Sequence, residues 1–122
     1  MARRIVIAGN WKMNKTVSEA VELAKAVVAK ASEAPASVDL VVSPTFVCLT
    51  EVAKVVAGTS VALGAQDMHW EESGAFTGKI SAAMLVSAGV KYVILGHSEQ
   101  RQFFGETDET VNKKTKQALK HN

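Results

Sequence analysis

Tyr92-Val93-Ile94-Leu95-Gly96-His97-Ser98-Glu99 is the stretch that decides the fold. An apolar run of strand length is closed by a glycine, and a histidine follows just before a Ser-Glu pair that suits a helix start. The same order recurs three times upstream. Ile5 to Ala8 ends in Gly9-Asn10, Leu40 to Val42 in Ser43-Pro44, and Val61 to Leu63 in Gly64-Ala65-Gln66. None of the four runs alternates cleanly with polar residues, which predicts parallel strands covered on both faces.

Between the runs the apolar period changes to that of a helix. Thr16 and Glu19 form a capping box, and Ala20, Ala24, Val27, Val28 and Ala31 then share one face. Leu49, Val52, Ala53 and Val56 repeat the spacing, and a shorter helix is predicted over Ser81 to Ser87. In the last segment Thr107 can cap. Asp108 and Glu109 sit where the helix dipole favours anions, and Lys113, Lys114, Lys116 and Lys120 lie toward the end that favours cations.

A strand-helix unit repeated four times, with right-handed crossovers, gives four parallel strands whose carboxyl ends share one rim. That rim carries the chemistry in β/α barrels. Asn10, Lys12, Gln66 and His97 are therefore expected to converge despite their separation in sequence. The stretch from Gln66 to Lys79 has no period and holds Trp70 and Phe76, as functional loops of this length do. Exposed aromatics there point to a partner surface.

Composition narrows the classes. An apolar fraction of 48% and a charged fraction of 21% describe a folding chain and exclude a disordered one. The 14 basic and 12 acidic residues are mixed, with no basic run beyond Arg3-Arg4 or Lys113-Lys114, so no nucleic-acid partner is expected. No apolar stretch approaches the ~20 residues of a membrane helix, so no membrane partner is expected either. Cys48 stands alone, reads as a small buried hydrophobe, and with the absence of a leader pattern predicts a cytoplasmic location. No cofactor and no metal site is expected. His69 and His121 read as surface residues, and Trp11, Phe46, Phe103 and Phe104 as packing groups.

Gly9-Asn10-Trp11-Lys12-Met13-Asn14, Gly64-Ala65-Gln66, Gly74-Ala75-Phe76-Thr77-Gly78 and Gly96-His97-Ser98-Glu99 together resemble triosephosphate isomerase, in that family's order and spacing, from Ile5 to Leu119. The resemblance implies an α/β fold that is half of a (β/α)8 TIM barrel, four parallel βα units. Residues 1–122 would form a single truncated domain running from the first strand to the fourth helix. It implies an isomerase of glycolysis and gluconeogenesis that interconverts dihydroxyacetone phosphate and D-glyceraldehyde 3-phosphate through an enediolate. Lys12 would be the cation that holds the phosphate end and stabilises the enediolate, with Asn10 beside it as a substrate-binding donor. His97 would polarise the carbonyl and shuttle a proton, as a neutral imidazole in this family. Glu99 would pair with Lys12, and Ser98 would cap the short helix that starts there. Phe76 and Thr77 would lie on a loop that enters a neighbouring subunit of a homodimer.

The resemblance also implies what is missing. Gln100-Arg101 stands where two arginines are usual, and Lys79 where a glutamate is common. A barrel of this type takes ~250 residues. The family's proton-moving carboxylate lies on the sixth unit and its phosphate-binding amides on the seventh and eighth. The isolated chain is therefore expected to be inactive or severely impaired. The alternative is a non-catalytic half-barrel that functions only as a self-associating or complementing module. Val6, Val41, Val61 and Val93 are expected to include residues of an open inner face. Homodimers or higher assemblies would cover it, edge to edge or through the Phe76-Thr77 loop.

Overall fold

The computed structural model describes residues 2–121, so the expected domain ends, Met1 and Asn122, lie outside the described residues. Four strands, β1 (Ile5–Asn10), β2 (Val38–Ser43), β3 (Val61–Ala65) and β4 (Tyr92–Val93), form one parallel sheet in chain order. Ile5 pairs with Val38, Leu40 with Val61, and Gly64 with Tyr92. The fourth run is shorter than its sequence suggests. After Ile94 N–H donates to Ala65 C=O, at 2.9 Å, the pairing ends where β3 gives way to the Gln66 loop.

Five α-helices accompany the sheet: α1 (Val17–Ala31), α2 (Leu49–Val56), α3 (Ala82–Ser87), α4 (Ser98–Phe103) and α5 (Asp108–His121). A 3-10 turn at Phe46–Cys48 leads into α2. The capping box at α1 is complete: Thr16 Oγ1 accepts the Glu19 N–H and the Glu19 carboxylate accepts the Thr16 N–H. Ser81 caps α3 by accepting the Met84 N–H, and Thr107 caps α5 by accepting that of Thr110. The cap of α4 differs from expectation. His97 holds that position, and Ser98 is the first helical residue.

The core lies between the sheet's outer face and the helices. Ala20 and Ala24 of α1 and Leu49, Val52 and Val56 of α2 close on Val42, Val61, Leu63 and Ala65. Small residues on α1 admit α2 closely. Burying side chains such as Leu63 and Val52 is worth about 1.5–3 kcal/mol each. Cys48 is buried, as expected.

Coverage of both faces holds for β3 but not for β1, where Ile5, Val6 and Ile7 are 59%, 45% and 58% exposed. Its outer edge has no strand partner among the described residues. The inner-face expectation holds for the exposed Val6 but not for two of the other residues. Val61 belongs to the helix-side core, and Val41 is buried. Phe103 and Phe104 are exposed where packing was expected, with their rings edge to face and centroids 6.4 Å apart. His69 is no free surface residue: its ring stacks between Trp70 and Phe76, and its Nε2 is buried without a hydrogen-bond partner among the described residues.

Candidate active site at the strand ends

Lys12 follows β1 with φ +56°, a left-handed conformation uncommon outside glycine. Two side chains fix that strained backbone. The Asn10 Oδ1 accepts the Lys12 N–H at 2.9 Å, and the Gln66 Nε2 donates to the Lys12 C=O at 2.9 Å. Gln66 also donates to the buried Ser43 C=O at 2.9 Å, so one amide ties the ends of β1, β2 and β3 together.

The Lys12 side chain then reaches across to the fourth unit. Its Nζ lies 2.8 Å from Glu99 Oε1. The hydrogen bond and charge of Lys12 hold the Glu99 carboxyl below the usual carboxylate range, with a smaller contribution from His97 and some opposition from burial. Five rim residues expected to converge or pair, Asn10, Lys12, Gln66, His97 and Glu99, are thus joined in one cluster.

The His97 ring is fixed by its own helix. As N-cap of α4 its Nδ1 accepts the Glu99 N–H at 3.0 Å. An accepting Nδ1 carries no proton, so the ring proton sits on Nε2. The Glu99 carboxylate is 3.7 Å from Nδ1, too far for a hydrogen bond. The arrangement offers a cation, a neutral imidazole N–H and the Nδ2 of Asn10, which makes no hydrogen bond among the described residues. These are donors suited to charge developing on adjacent oxygens.

A second charged group lies behind the rim. Lys114 Nζ is 2.9 Å from both Asp67 Oδ1 and Glu106 Oε2, and Thr110 Oγ1 donates to Glu106. Burial opposes the charge on Lys114, but hydrogen bonds and attraction from Asp67 and Glu106 outweigh it, and its pKa is raised. Burial likewise opposes the Glu106 charge, yet Thr110, Lys114 and Arg101 together leave its pKa lowered. The sequence pattern does not show this group and explains Lys114 only as a cation toward the favoured end of the helix dipole. The sole hint was Asp67 standing next to Gln66.

A cleft of about 460 Å³ opens beside Lys114, lined also by Phe46, Gln66, His69 and Gln100. Phe76 and Thr77 are exposed on the long loop, and no hydrogen bond or ion pair among the described residues joins them to Lys12. No cluster of three metal-type ligands occurs among the described residues. No helix there is long and apolar enough to cross a membrane.

A family model described as triosephosphate isomerase matches residues 5–122. A triosephosphate isomerase of Clostridium botulinum (strain Loch Maree) is 60% identical over 120 residues, which is 98% of this chain and 48% of that protein. One of Thermoanaerobacter pseudethanolicus is 60% identical over 119 residues, 98% of this chain and 47% of its own length. The crystal structure of a Bartonella henselae triosephosphate isomerase superimposes with a TM-score of 0.90 at 35% identity, across 98% of this chain and 48% of that one. The chain thus spans about half the length of the relatives it matches, and its four parallel units are half of a TIM barrel.

Proposed function

The chain belongs to the triosephosphate isomerase family, and we propose that its rim supplies the cation and the electrophile of an aldose-ketose isomerase site for triose phosphates. The observation that carries this reading is the placement of Lys12 Nζ against Glu99, whose own N–H fixes the His97 ring. In this reading Lys12 binds the phosphate end and offsets enediolate charge. His97 Nε2–H donates to the carbonyl oxygen and passes the proton between the two oxygens. Asn10, with its Oδ1 committed to Lys12, offers its amide N–H to the substrate. Glu99 sets the reach of Lys12.

By the family resemblance, the base and the phosphate-binding amides belong to units beyond the four matched here. The 122 residues alone, read as one truncated domain, are therefore proposed to turn over triose phosphate poorly or not at all. A positioned base is worth roughly 10² to 10⁴ in rate. A coupled isomerase assay on the purified chain tests this, alone and mixed with a polypeptide carrying the four further units. Activity that appears on mixing and is lost with Lys12→Ala or His97→Ala supports the reading. Turnover by the chain alone that survives both substitutions sinks it.

The second reading, a self-associating half-barrel, is favoured by one observation: β1 has a bare edge and apolar residues open on both faces. We propose a homodimer or larger assembly, with Phe76 and Thr77 as the competing loop contact. Light scattering on the eluting peak decides. A monomer mass over micromolar concentrations rejects self-association, and a dimer insensitive to Phe76→Ala favours the sheet edge. A reducing cytoplasm is the proposed compartment, supported by the lone buried thiol of Cys48.

A further inference from the structure

Lys114 anchors a closed circuit. The Lys12 C=O accepts from Gln66, whose neighbour Asp67 accepts from Lys114 Nζ at 2.9 Å. The same ammonium donates to Glu106 Oε2 at 2.9 Å. The Glu106 N–H donates to the Gln100 C=O at 3.2 Å, and Gln100 adjoins Glu99, whose carboxylate returns to Lys12 Nζ. Every link is a hydrogen bond, an ion pair or a peptide bond, and the path begins and ends on one residue.

We propose that Lys114 is a positioning residue for Lys12: by bridging Asp67 and Glu106 it fixes the spacing between the β3 end and α4, and so where the Lys12 ammonium lies. This rests on reading Lys12 as the cation of the site. Three observations carry it. Lys12 has a left-handed backbone, which persists only where its surroundings over-determine it. Lys114 and Glu106 are buried, with side chains 10% and 3% exposed, so their bond is not a loose surface pair. Without Lys114, no other cation among the described ion pairs reaches Asp67 or Glu106, and two carboxylates would face each other across the gap.

The Glu99 carboxyl is the reporter, because the charged partner facing it is Lys12 at 2.8 Å, with the His97 imidazole 3.7 Å away. The experiment titrates Glu99 by carboxyl ¹³C NMR in the full 122-residue chain. The unsubstituted chain, Lys114→Met, Lys114→Arg and Lys12→Met are compared, the last calibrating a Glu99 that has lost its partner. Lys114→Met is expected to move the Glu99 midpoint upward toward the Lys12→Met value, and Lys114→Arg to keep it low. A folded Lys114→Met chain whose Glu99 titrates as before overturns the proposal, as does an unsubstituted chain already at the Lys12→Met value. If Lys114→Met does not fold, Asp67→Ala, which removes the acceptor and so cuts one link of the circuit, must still raise the midpoint, and no change there is equally fatal. The readout requires no turnover, so an inactive chain leaves the positioning role standing and an active one does not establish it.

Discussion

His97 Nδ1 accepts the Glu99 N–H at 3.0 Å, so the residue that ends the fourth strand unit also starts the helix after it. One ring nitrogen is committed to the fold, and the other makes no hydrogen bond among the described residues. His97→Ala removes the cap and is expected to cost about 1 kcal/mol, whereas His97→Asn, which can still cap, should cost less. Urea titrations of the three chains measure the difference. Imidazole ¹⁵N shifts should report the Nε2–H tautomer at neutral pH, and an Nδ1–H tautomer would contradict the capping geometry.

Gly64 carries no side chain because the inner face has no room for one. A Cβ there would stand 2.4 Å from Ser43 Oγ and 3.0 Å from Val41 Cγ1. Gly64→Ala should destabilise by about 1–3 kcal/mol, as overpacking does. Adding Ser43→Ala removes the nearer atom and should recover part of the loss in thermal or chemical unfolding. No recovery would place the strain elsewhere.

Lys12 holds a backbone conformation that costs a non-glycine residue about 1–2 kcal/mol. Lys12→Gly relieves it and gives up only an exposed ion pair, worth about 0–1 kcal/mol. Stability should therefore hold or rise while binding of a triose-phosphate analogue in the complemented protein is lost. A marked fall in unfolding midpoint would show that the side chain supports the fold.

Glu106 sets an acid limit. Its folded pKa lies below the ordinary value of 4.5, so its contribution is complete above that value and fades as pH falls through the folded one. Lys114 is displaced the other way. Its contribution is complete below 10.5 and fades as pH rises through its higher folded value. Glu106→Gln should flatten the acid limb of a stability-against-pH curve without moving the alkaline limb in the same sense.

Leu63 is buried at the centre of the helix-side core. Leu63→Ala should cost about 2–5 kcal/mol, enough to unfold much of a marginal chain at 25 °C. Denaturant unfolding checks it, and a cost under 1 kcal/mol would mean that the core collapses around the gap.

The rim was legible because Asn10, Lys12, Gln66 and His97 each follow an apolar run by two to four positions, so topology alone brings them together, whereas the pairing of Glu99 with Lys12 came with the family resemblance. The Lys114 group was not, since its partners lie 47 and 8 residues away and a basic residue late in a helix already has a local explanation. Local rules also misplaced the α4 cap. Ser98 is the commoner capping type, but the imidazole one residue earlier has the reach to accept the Glu99 N–H. Phe103 and Phe104 were misjudged because aromatic character predicts a wish for burial, whereas burial depends on a neighbour to bury against.

The strands stand in the sheet in the order in which they occur in the chain, each paired only with its predecessor and successor. A chain emerging from the ribosome can therefore add each strand to one already laid down, without waiting for distant sequence. At every stage during synthesis the newest strand is the edge that accepts the next. Among the described strands β1 is laid down before the other three and pairs on one side only, so its far side is open to chaperones and to stray strand partners while they are added.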